Sequence, residues 1–278
     1  MMNTFEQNIL NIYGQKGREW LEKIPGTVQQ ISETWDLTNL NPIETITYNY
    51  VLSGTQKGKP IILKLSLDAE RLNKEIDALK VFSGYGVPKV LNNNNSALLL
   101  EHLIPGYPLK TFLSERKNEA RIIACQVMKK LHQASFSPAY KNSFPLINDL
   151  LKILDKTWDI PSQYLIKARF LRDNLLETHQ EYKLLHWDLH HENILLNDNE
   201  WFAIDPQGVI GPPISETWAF IIDPILDTEY IARYFNYPLE NIRQWYFVRL
   251  ILAICWNLED NLNPQHFLHL AELTFPLV

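Results

Sequence analysis

The feature that most constrains the fold is a change in hydrophobic pattern near Pro105. Before Pro105, short runs rich in β-branched and aromatic residues alternate with turn-forming segments, a pattern typical of β-strands. After it, apolar residues recur at helical spacing. The chain therefore predicts an α+β fold with two lobes, a β-rich lobe over residues 1–103 and an α-rich lobe over residues 104–278.

The first lobe is expected to hold a five-stranded antiparallel sheet and an amphipathic helix. An N-terminal helix over residues 6–23 is predicted to end at Pro25, because proline interrupts helices. A second helix, within residues 69–86, carries apolar residues at helical spacing and ends in glycines. The strand-like runs are VQQISETWDL (28–37), TITYNYVLSG (45–54), PIILKLSL (60–67), KVLNNNN (89–95) and SALLLEHL (96–103).

The second lobe is predicted to be mostly helical, with one β-hairpin that turns at residues 197–199. Polar residues stand at both ends of this hairpin. The stretches with a helical apolar stripe are RIIACQVMKKLHQA (121–134), NDLLKILDKTW (148–158), YLIKARFLRDNLLETHQ (164–180), EYIARYF (229–235) and WYFVRLILAICWNL (245–258).

Charge and composition narrow the class of protein. The formal charge of -6 argues against nucleic-acid binding and is compatible with a cationic partner. No stretch reaches the roughly 18 uncharged apolar residues of a membrane span, and the N-terminus lacks the pattern of a signal peptide. Cys125 and Cys255 lie in separate apolar stretches without a C-x-x-C partner and predict buried thiols. We therefore expect a cytoplasmic protein, a monomer or a dimer, that does not bind membranes.

The segment that carries chemistry is HWDLHHEN at residues 186–193, followed by Ile204-Asp205. Asp188 and Asn193 stand five apart on a predicted loop, and Asp205 ends the hairpin that follows. Protein kinases space a catalytic Asp, a metal-binding Asn and a second metal-binding Asp in this way. Carboxylate and amide oxygens suit Mg²⁺, which prefers hard oxygen ligands.

These motifs resemble the H-G-D-x-H-x-x-N and I-D motifs of the aminoglycoside phosphotransferase family, which has a protein-kinase-like fold. The streptomycin 6-kinase and hydroxyurea kinase branch is the most similar. The resemblance covers most of the chain, because upstream segments match in the right order. The matching segments are HWDLHHENILL, IDPQGVIG, SETWAF, IILKL, KEIDALKVFSGYGVPKVL and ALLLEHLIPGYPL.

The resemblance implies a phosphotransferase that uses ATP, with GTP possible, and Mg²⁺. It implies that Asp188 is the base that deprotonates the acceptor hydroxyl and that Asn193 and Asp205 bind magnesium. It further implies that Lys64 contacts the α and β phosphates and that Glu75 orients this lysine.

Two further sets of residues follow from the same resemblance. Backbone groups of Glu101 and Leu103 would receive the adenine edge. Glu216 and Asp223 fall in the region that borders the acceptor site, where carboxylates could hold ammonium or guanidinium groups. The alternative for both acids is that they cap helices or face water.

The chain departs from the kinase pattern at several positions. No G-x-G-x-x-G follows the first strand, and TNLNPIETITYNY (38–50) stands there instead, so the phosphates must be covered by another loop. Trp187 and Glu192 replace two glycines of the family motif. The histidines of the segment also admit a zinc site, but their order differs from that of metallo-hydrolases. We expect His186 to support the metal-binding segment through a backbone hydrogen bond.

Three functions remain open at this stage. The first is a kinase of a streptomycin-type aminoglycoside or a related cationic compound. The second is a kinase of a small metabolite such as a sugar, an amino alcohol or a hydroxyurea-like compound. The third is a binding module that keeps the fold and has lost turnover, a possibility that Trp187 and Glu192 raise.

Overall fold

The computed structural model describes residues 4–43, 48–135, 137, 140, 142–178 and 181–278. The chain divides into two compact units, one of residues 1–106 with 196–200 and one of residues 107–195 with 201–278. The division falls at Gly106, where the sequence predicted a boundary after residue 103. The tip of the hairpin, residues 196–200, groups with the first unit.

The first unit contains the predicted five-stranded antiparallel sheet, in the order β1-β2-β3-β5-β4. Strand β3 pairs with β2 on one side and with β5 on the other. Its inner face is fully buried at Ile61, Leu63 and Leu65. The elements of this unit are α1 (Thr4–Trp35), β1 (Leu37–Pro42), β2 (Tyr50–Gln56), β3 (Lys59–Leu65), α2 (Ala69–Val81), β4 (Val90–Asn93) and β5 (Ala97–Glu101).

The prediction that the first helix ends at Pro25 was wrong. Helix α1 continues through Pro25 to Trp35, so residues 28–35 are helical instead of forming the first strand. Ile24 and Ile31 are buried on the same apolar stripe of this helix. Burial of such side chains returns about 1.5–3 kcal/mol each, which offsets the roughly 3 kcal/mol that an interior proline costs.

The strand predicted over residues 45–54 lies partly outside the described residues, which omit 44–47; the described strand β2 begins at Tyr50. The predicted helix over residues 164–180 likewise ends in two residues that are not described.

Helix α2 forms where the sequence predicted it. Asp68 caps its N-terminus, since its carboxylate accepts a hydrogen bond from the backbone N–H of Arg71 at 2.9 Å. Leu72, Ile76 and Leu79 bury one face of the helix. Glu75 lies on this buried face and is therefore directed towards the sheet.

The second unit is mostly helical, as predicted. Strands β7 and β10 pair antiparallel, and β6, β8 and β9 form a three-stranded sheet in the order β6-β8-β9. The elements that follow β5 are β6 (Pro105–Pro108), α3 (Lys117–Leu131), α4 (Ile147–Leu151), α5 (Ser162–Thr178), β7 (Lys183–Leu185), β8 (Ile194–Asn197), β9 (Glu200–Ala203), β10 (Val209–Gly211), α6 (Leu226–Phe235), α7 (Leu239–Glu259) and α8 (Gln265–Thr274). A 3₁₀ helix at Pro213–Phe220 connects β10 to the segment before α6.

Helix α7 is the central helix of this unit. It is buried from Trp245 to Cys255 without a polar face, as expected for a helix that is apolar all round. Cys125 and Cys255 are both buried free thiols, as the sequence predicted. Among the described residues, no helix is long and apolar enough to cross a membrane.

Candidate active site

The site of the second unit is built on the loop that follows β7, and His186 anchors this loop. The buried imidazole lies 2.8 Å, through Nε2, from the carbonyl oxygen of Ile204. Its Nδ1 accepts a hydrogen bond from the backbone N–H of Asp188 at 3.3 Å, so Nε2 carries the proton. Burial lowers the pKa of His186, although nearby carboxylates oppose this effect. The predicted backbone hydrogen bond of His186 is confirmed.

Asn193 holds Asp188 in place across the loop. The side-chain Nδ2 of Asn193 donates to the backbone carbonyl of Asp188 at 2.8 Å and approaches the carboxylate Oδ2 at 3.3 Å. The Asp188 side chain is 38% exposed, so its carboxylate can meet a ligand. Because Nδ2 is the amide atom that contacts Asp188, Oδ1 is the atom of this side chain that suits a hard cation.

Asp205 lies beside the same two residues because of the hairpin. The backbone N–H of Ile204, the residue before Asp205, donates to the carbonyl of Asn193 at 2.9 Å. On the other side, Gln207 donates its backbone N–H to the carbonyl of His186, also at 2.9 Å. Asp205 has a positive φ of 59°, a conformation that aspartate adopts more readily than most residues. The structure thus brings Asp188, Asn193 and Asp205 together.

These residues fit a magnesium ion better than zinc. The amide oxygen of Asn193 and the carboxylate of Asp205 are hard oxygen donors, which suit Mg²⁺. Among the residues that the structure describes, no group of three or more His, Cys, Asp or Glu side chains could hold a metal ion.

Glu216 does not lie where the acceptor-binding hypothesis needs it. Its side chain is 1% exposed, and its two carboxylate oxygens bind protein groups. Oε1 accepts the backbone N–H of Trp187 at 2.5 Å, and Oε2 lies 2.7 Å from Nε2 of His132 at the end of α3. Because both oxygens are occupied inside the protein, we reassign Glu216 from acceptor binding to support of the loop that carries Asp188.

Asp223 lies at the rim of a small cavity. Its Oδ1 accepts the backbone N–H groups of Ile225 and Leu226 at 2.9 Å, so it caps the start of α6. The Leu226 hydrogen bond is the main reason why the pKa of Asp223 is lowered. The cavity has a volume of ≈ 100 Å³, and the charged or titratable side chains that line it are Lys117, Arg121, His191, Asp223 and Asp227.

The charges of this cavity are largely paired within the protein. Asp227 is buried, and its Oδ1 lies 2.6 Å from Nε of Arg121. Its other oxygen accepts the backbone N–H groups of Ile222 and Asp223 at 2.8 Å. Burial lowers the pKa of His191 to about 4, so this imidazole is neutral at physiological pH. The cavity therefore lacks a cluster of unpaired carboxylates within the described residues.

In the first unit, Lys64 and Glu75 form a buried ion pair. The Nζ of Lys64 on β3 donates to both carboxylate oxygens of Glu75 on α2, at 2.9 and 2.7 Å. Both side chains are less than a tenth exposed. The sequence predicted this pair through the family resemblance alone.

The proposed adenine-binding segment follows β5. The backbone N–H of Glu101 already donates to the carbonyl of Lys89 at 3.0 Å, so Glu101 can offer only its carbonyl to a nucleotide. Leu103 is 4% exposed and lies just after the strand. In the part of the chain that the structure describes, the Leu103 backbone forms no hydrogen bond.

Sequence reasoning missed two residues that contact the loop. Lys110 forms an ion pair with Glu192, one of the two residues that replace a family glycine, and this hydrogen bond lowers the pKa of Glu192. Arg249 lies beneath Trp187, the other replacement. Arg249 could have been noticed, because it is a single charge within the apolar run WYFVRLILAICW.

Comparisons with known proteins show which proteins the chain is similar to. The family model described as aminoglycoside/hydroxyurea antibiotic resistance kinase matches residues 35–233. Streptomycin 6-kinase of Streptomyces griseus is 24% identical over 277 residues, which covers 90% of this chain and 88% of that protein. Hydroxyurea phosphotransferase of Kitasatospora aureofaciens is 26% identical over 263 residues, which covers 89% of this chain and 77% of that protein.

Solved structures show the same fold. A thermostable mutant of the aminoglycoside phosphotransferase APH(4)-Ia, in a ternary complex with ADP and hygromycin B, superposes with a TM-score of 0.68 and 13% sequence identity. The match covers 88% of this chain and 95% of that chain. Since the family model matches well over half of the sequence, the chain belongs to the aminoglycoside/hydroxyurea antibiotic resistance kinase family.

Proposed function

We propose that this protein transfers the γ-phosphate of ATP to a hydroxyl group of a small molecule in a magnesium-dependent reaction. The observation that carries the proposal is the arrangement of Asp188, Asn193 and Asp205 around one loop and hairpin, with the Asn193 amide 2.8 Å from the Asp188 backbone carbonyl. Phosphoryl transfer depends mainly on alignment and on neutralisation of negative charge.

Each residue of the loop has a distinct role in this reaction. The exposed carboxylate of Asp188 accepts a hydrogen bond from the acceptor hydroxyl, orients it and takes its proton. Asn193 fixes the direction of that carboxylate. The Asn193 amide oxygen and the Asp205 carboxylate would hold magnesium, which when bound neutralises charge on the phosphates.

The first unit would supply the contacts to the nucleotide. Lys64 would bind the α and β phosphates, and the hydrogen bonds that its ammonium group donates to Glu75 hold that group in place. The carbonyl of Glu101 would accept a hydrogen bond from the adenine edge, and the backbone N–H of Leu103 would donate one to it. The bound ADP in the APH(4)-Ia complex supports a nucleotide as the co-substrate.

For the acceptor we propose an aminoglycoside of the streptomycin type. Two kinds of observation support it: the similarity to streptomycin 6-kinase and the position of Asp223 at the cavity rim. The carboxylate of Asp223 would pair with an ammonium or guanidinium group of the acceptor. We also propose a cytoplasmic location, which the two buried free thiols support, since reducing compartments keep cysteines unpaired.

A second candidate is a kinase of a small, weakly charged compound such as a hydroxyurea-like molecule, a sugar or an amino alcohol. The cavity favours it, because Asp227 is paired with Arg121 and the volume is only ≈ 100 Å³. The similarity to hydroxyurea phosphotransferase supports the same candidate.

An acceptor screen tests both candidates, and it also tests the alternative that the protein is a binding module without kinase activity. Purified protein, Mg²⁺ and ATP are incubated with streptomycin, hygromycin B, hydroxyurea, choline and simple sugars, and phosphorylated products are identified by mass spectrometry. Asp188→Asn serves as the matched control, since it keeps the size of the side chain and removes the base. Phosphorylated streptomycin supports the first candidate, whereas a phosphorylated small compound alone supports the second. Nucleotide binding without any product above the Asp188→Asn control would identify a binding module instead of a kinase.

A further inference from the structure

Arg249 occupies a place in the second unit where a positive charge is unfavourable. It lies on the apolar helix α7 and is 1% exposed. Its Nε and Nη1 atoms find no hydrogen-bond partner among the described residues. A buried charge with unpaired N–H groups destabilises a protein, and residues kept at such a cost are often functional.

The contacts of Arg249 lead to the catalytic loop. Its guanidinium lies 3.5 Å from the centroid of the Trp187 ring, and the rings of Trp218 and Trp256 lie at 4.6 and 5.9 Å. A cation over an aromatic face is attracted to it, more strongly when both are removed from water. Trp187 directly precedes Asp188, so the stack reaches the peptide that carries the carboxylate.

Trp187 itself is held in a conformation that a bulky residue adopts rarely. Its φ is 72°, in the left-handed region. Its backbone N–H is bound by Glu216, which is in turn bound by His132. Glu216 therefore holds the backbone of Trp187, and Arg249 holds its ring. The surrounding structure imposes the positive φ.

We propose that Arg249 is a positioning residue for phosphoryl transfer: by stacking on Trp187 it fixes the backbone from which Asp188 presents its carboxylate. The inference rests on the proposed function, since Arg249 acts only through the base. It also explains why tryptophan can replace the family glycine of the loop. Glycine adopts a positive φ without strain, whereas tryptophan does not. The stack on Arg249 therefore holds Trp187 in a backbone conformation that glycine would adopt by itself.

Charge supports the same role. Burial lowers the pKa of Arg249 to about 9, while the carboxylates of Glu216 and Asp188 oppose the shift. The guanidinium is therefore still positively charged at neutral pH. It remains a cation for the Trp187 ring under assay conditions.

The first test is Arg249→Met, which keeps the length of the side chain and removes the charge. A purely structural role predicts lower stability with kcat unchanged in the folded enzyme. Our proposal predicts a melting temperature equal to or above that of the wild type, because a buried charge is gone. It also predicts a fall in kcat of about a hundredfold, the order expected for a misplacement of about 1 Å, with KM for ATP changed less than about threefold.

The matched control is Arg243→Met, on the same helix. Within the described residues, Nε of Arg243 also has no hydrogen-bond partner, but Arg243 forms an ion pair with Glu229 on α6 at 3.9 Å. We expect this variant to keep the wild-type kcat. Arg249→Lys should recover part of the activity, because it restores the charge without the planar stacking group.

A double-mutant cycle provides the second, independent test. Trp187→Gly removes the aromatic partner of the stack instead of the cation. Glycine adopts the positive φ of this position freely, so the variant should fold. If Arg249 acts on Asp188 through its stack on Trp187, the two substitutions disrupt the same contact. The double variant Trp187→Gly with Arg249→Met should then have a kcat no lower than that of the less active single variant. Additive losses, or an Arg249→Met enzyme as active as Arg243→Met, would overturn the inference.

Failure of the inference can be told apart from failure of the proposed function. An inactive Asp188→Asn with a fully active Arg249→Met rejects the role of Arg249 alone. An active Asp188→Asn rejects the base itself, whatever Arg249→Met does.

Discussion

The ammonium group of Lys64 donates to both carboxylate oxygens of Glu75, at 2.9 and 2.7 Å, inside the first unit. Both side chains are buried, so neither charge can be compensated by water. We expect Glu75→Ala to lower the free energy of unfolding by roughly 3–5 kcal/mol, because it breaks a buried ion pair. Urea denaturation followed by circular dichroism measures this change.

The double variant Lys64→Met with Glu75→Leu separates stability from function. Replacing a buried ion pair by apolar groups is often neutral for stability, so most of the loss in Glu75→Ala should be recovered. Nucleotide affinity should stay impaired, since the lysine is gone. A double variant that binds ATP like the wild type in calorimetry would contradict the role of Lys64.

Substitution of Asp188 and substitution of Asp205 should impair different steps of the reaction. Asp188→Ala removes the base and should lower kcat by about a hundredfold to ten-thousandfold while nucleotide affinity stays near that of the wild type. Asp205→Ala removes a magnesium ligand and should weaken magnesium-dependent nucleotide binding as well. Titration calorimetry with ATP, with and without Mg²⁺, distinguishes the two. Full activity of Asp188→Ala would refute the assignment of the base.

Glu216 should make stability depend on pH in the acid range. Burial is the largest single influence and would raise its pKa, but His132, His186 and the backbone N–H of Trp187 together outweigh burial and hold the pKa below its usual value. Such a group contributes stability that is complete above the unfolded pKa, near 4.5. This contribution is lost as the pH falls through the lower, folded pKa.

The variant Glu216→Gln tests this dependence. We expect it to be less stable than the wild type at neutral pH and to lose less further stability on acidification. Urea denaturation at several pH values from neutral down to below the unfolded pKa measures both. Glu22→Gln, on an exposed face of α1, should follow the wild-type curve. Parallel curves for Glu216→Gln and the wild type would show that Glu216 is not the group responsible.

The two cysteines should be unreactive in the folded protein. Burial raises the pKa of Cys125 and of Cys255 to about 12. At about pH 8 only roughly one thiol in ten thousand would be ionised, and the thiolate is the reactive form. A colorimetric disulfide reagent should therefore detect no thiol in the native state and both in denaturant. Rapid labelling of the native protein would contradict the buried placement.

Local patterns in the sequence predicted most elements of both units. Strands β2 to β5 and helix α2 follow from short β-rich runs and a helical apolar stripe, since these signals depend on neighbouring residues. The first predicted strand, residues 28–37, was wrong, because most of it belongs to α1. Pro25 misled the prediction because its local cost is real, yet burial of Ile24 and Ile31 in the tertiary core outweighs it. Only contacts distant in sequence could show this.

For the site, sequence spacing sufficed to predict that Asp188, Asn193 and Asp205 lie close together, because a short loop and a hairpin connect them. Their roles stay a prediction. It did not suffice for Glu216, whose nearness in sequence to the acceptor region suggested ligand binding. The folded chain turns its carboxylate inward to His132 and Trp187. The role of an isolated acid depends on whether it is buried, and burial is a property of the whole fold.

By itself, the sequence determined the family, the fold class and the order of the chemical groups, because these are encoded in motifs whose members lie within a few residues of each other. Tertiary structure alone decided that Arg249 stacks on Trp187, 62 residues earlier in the chain. It also decided which acids face a cavity and which support a loop. Packing between distant segments sets which charges are removed from water, and no local pattern of residues specifies that packing.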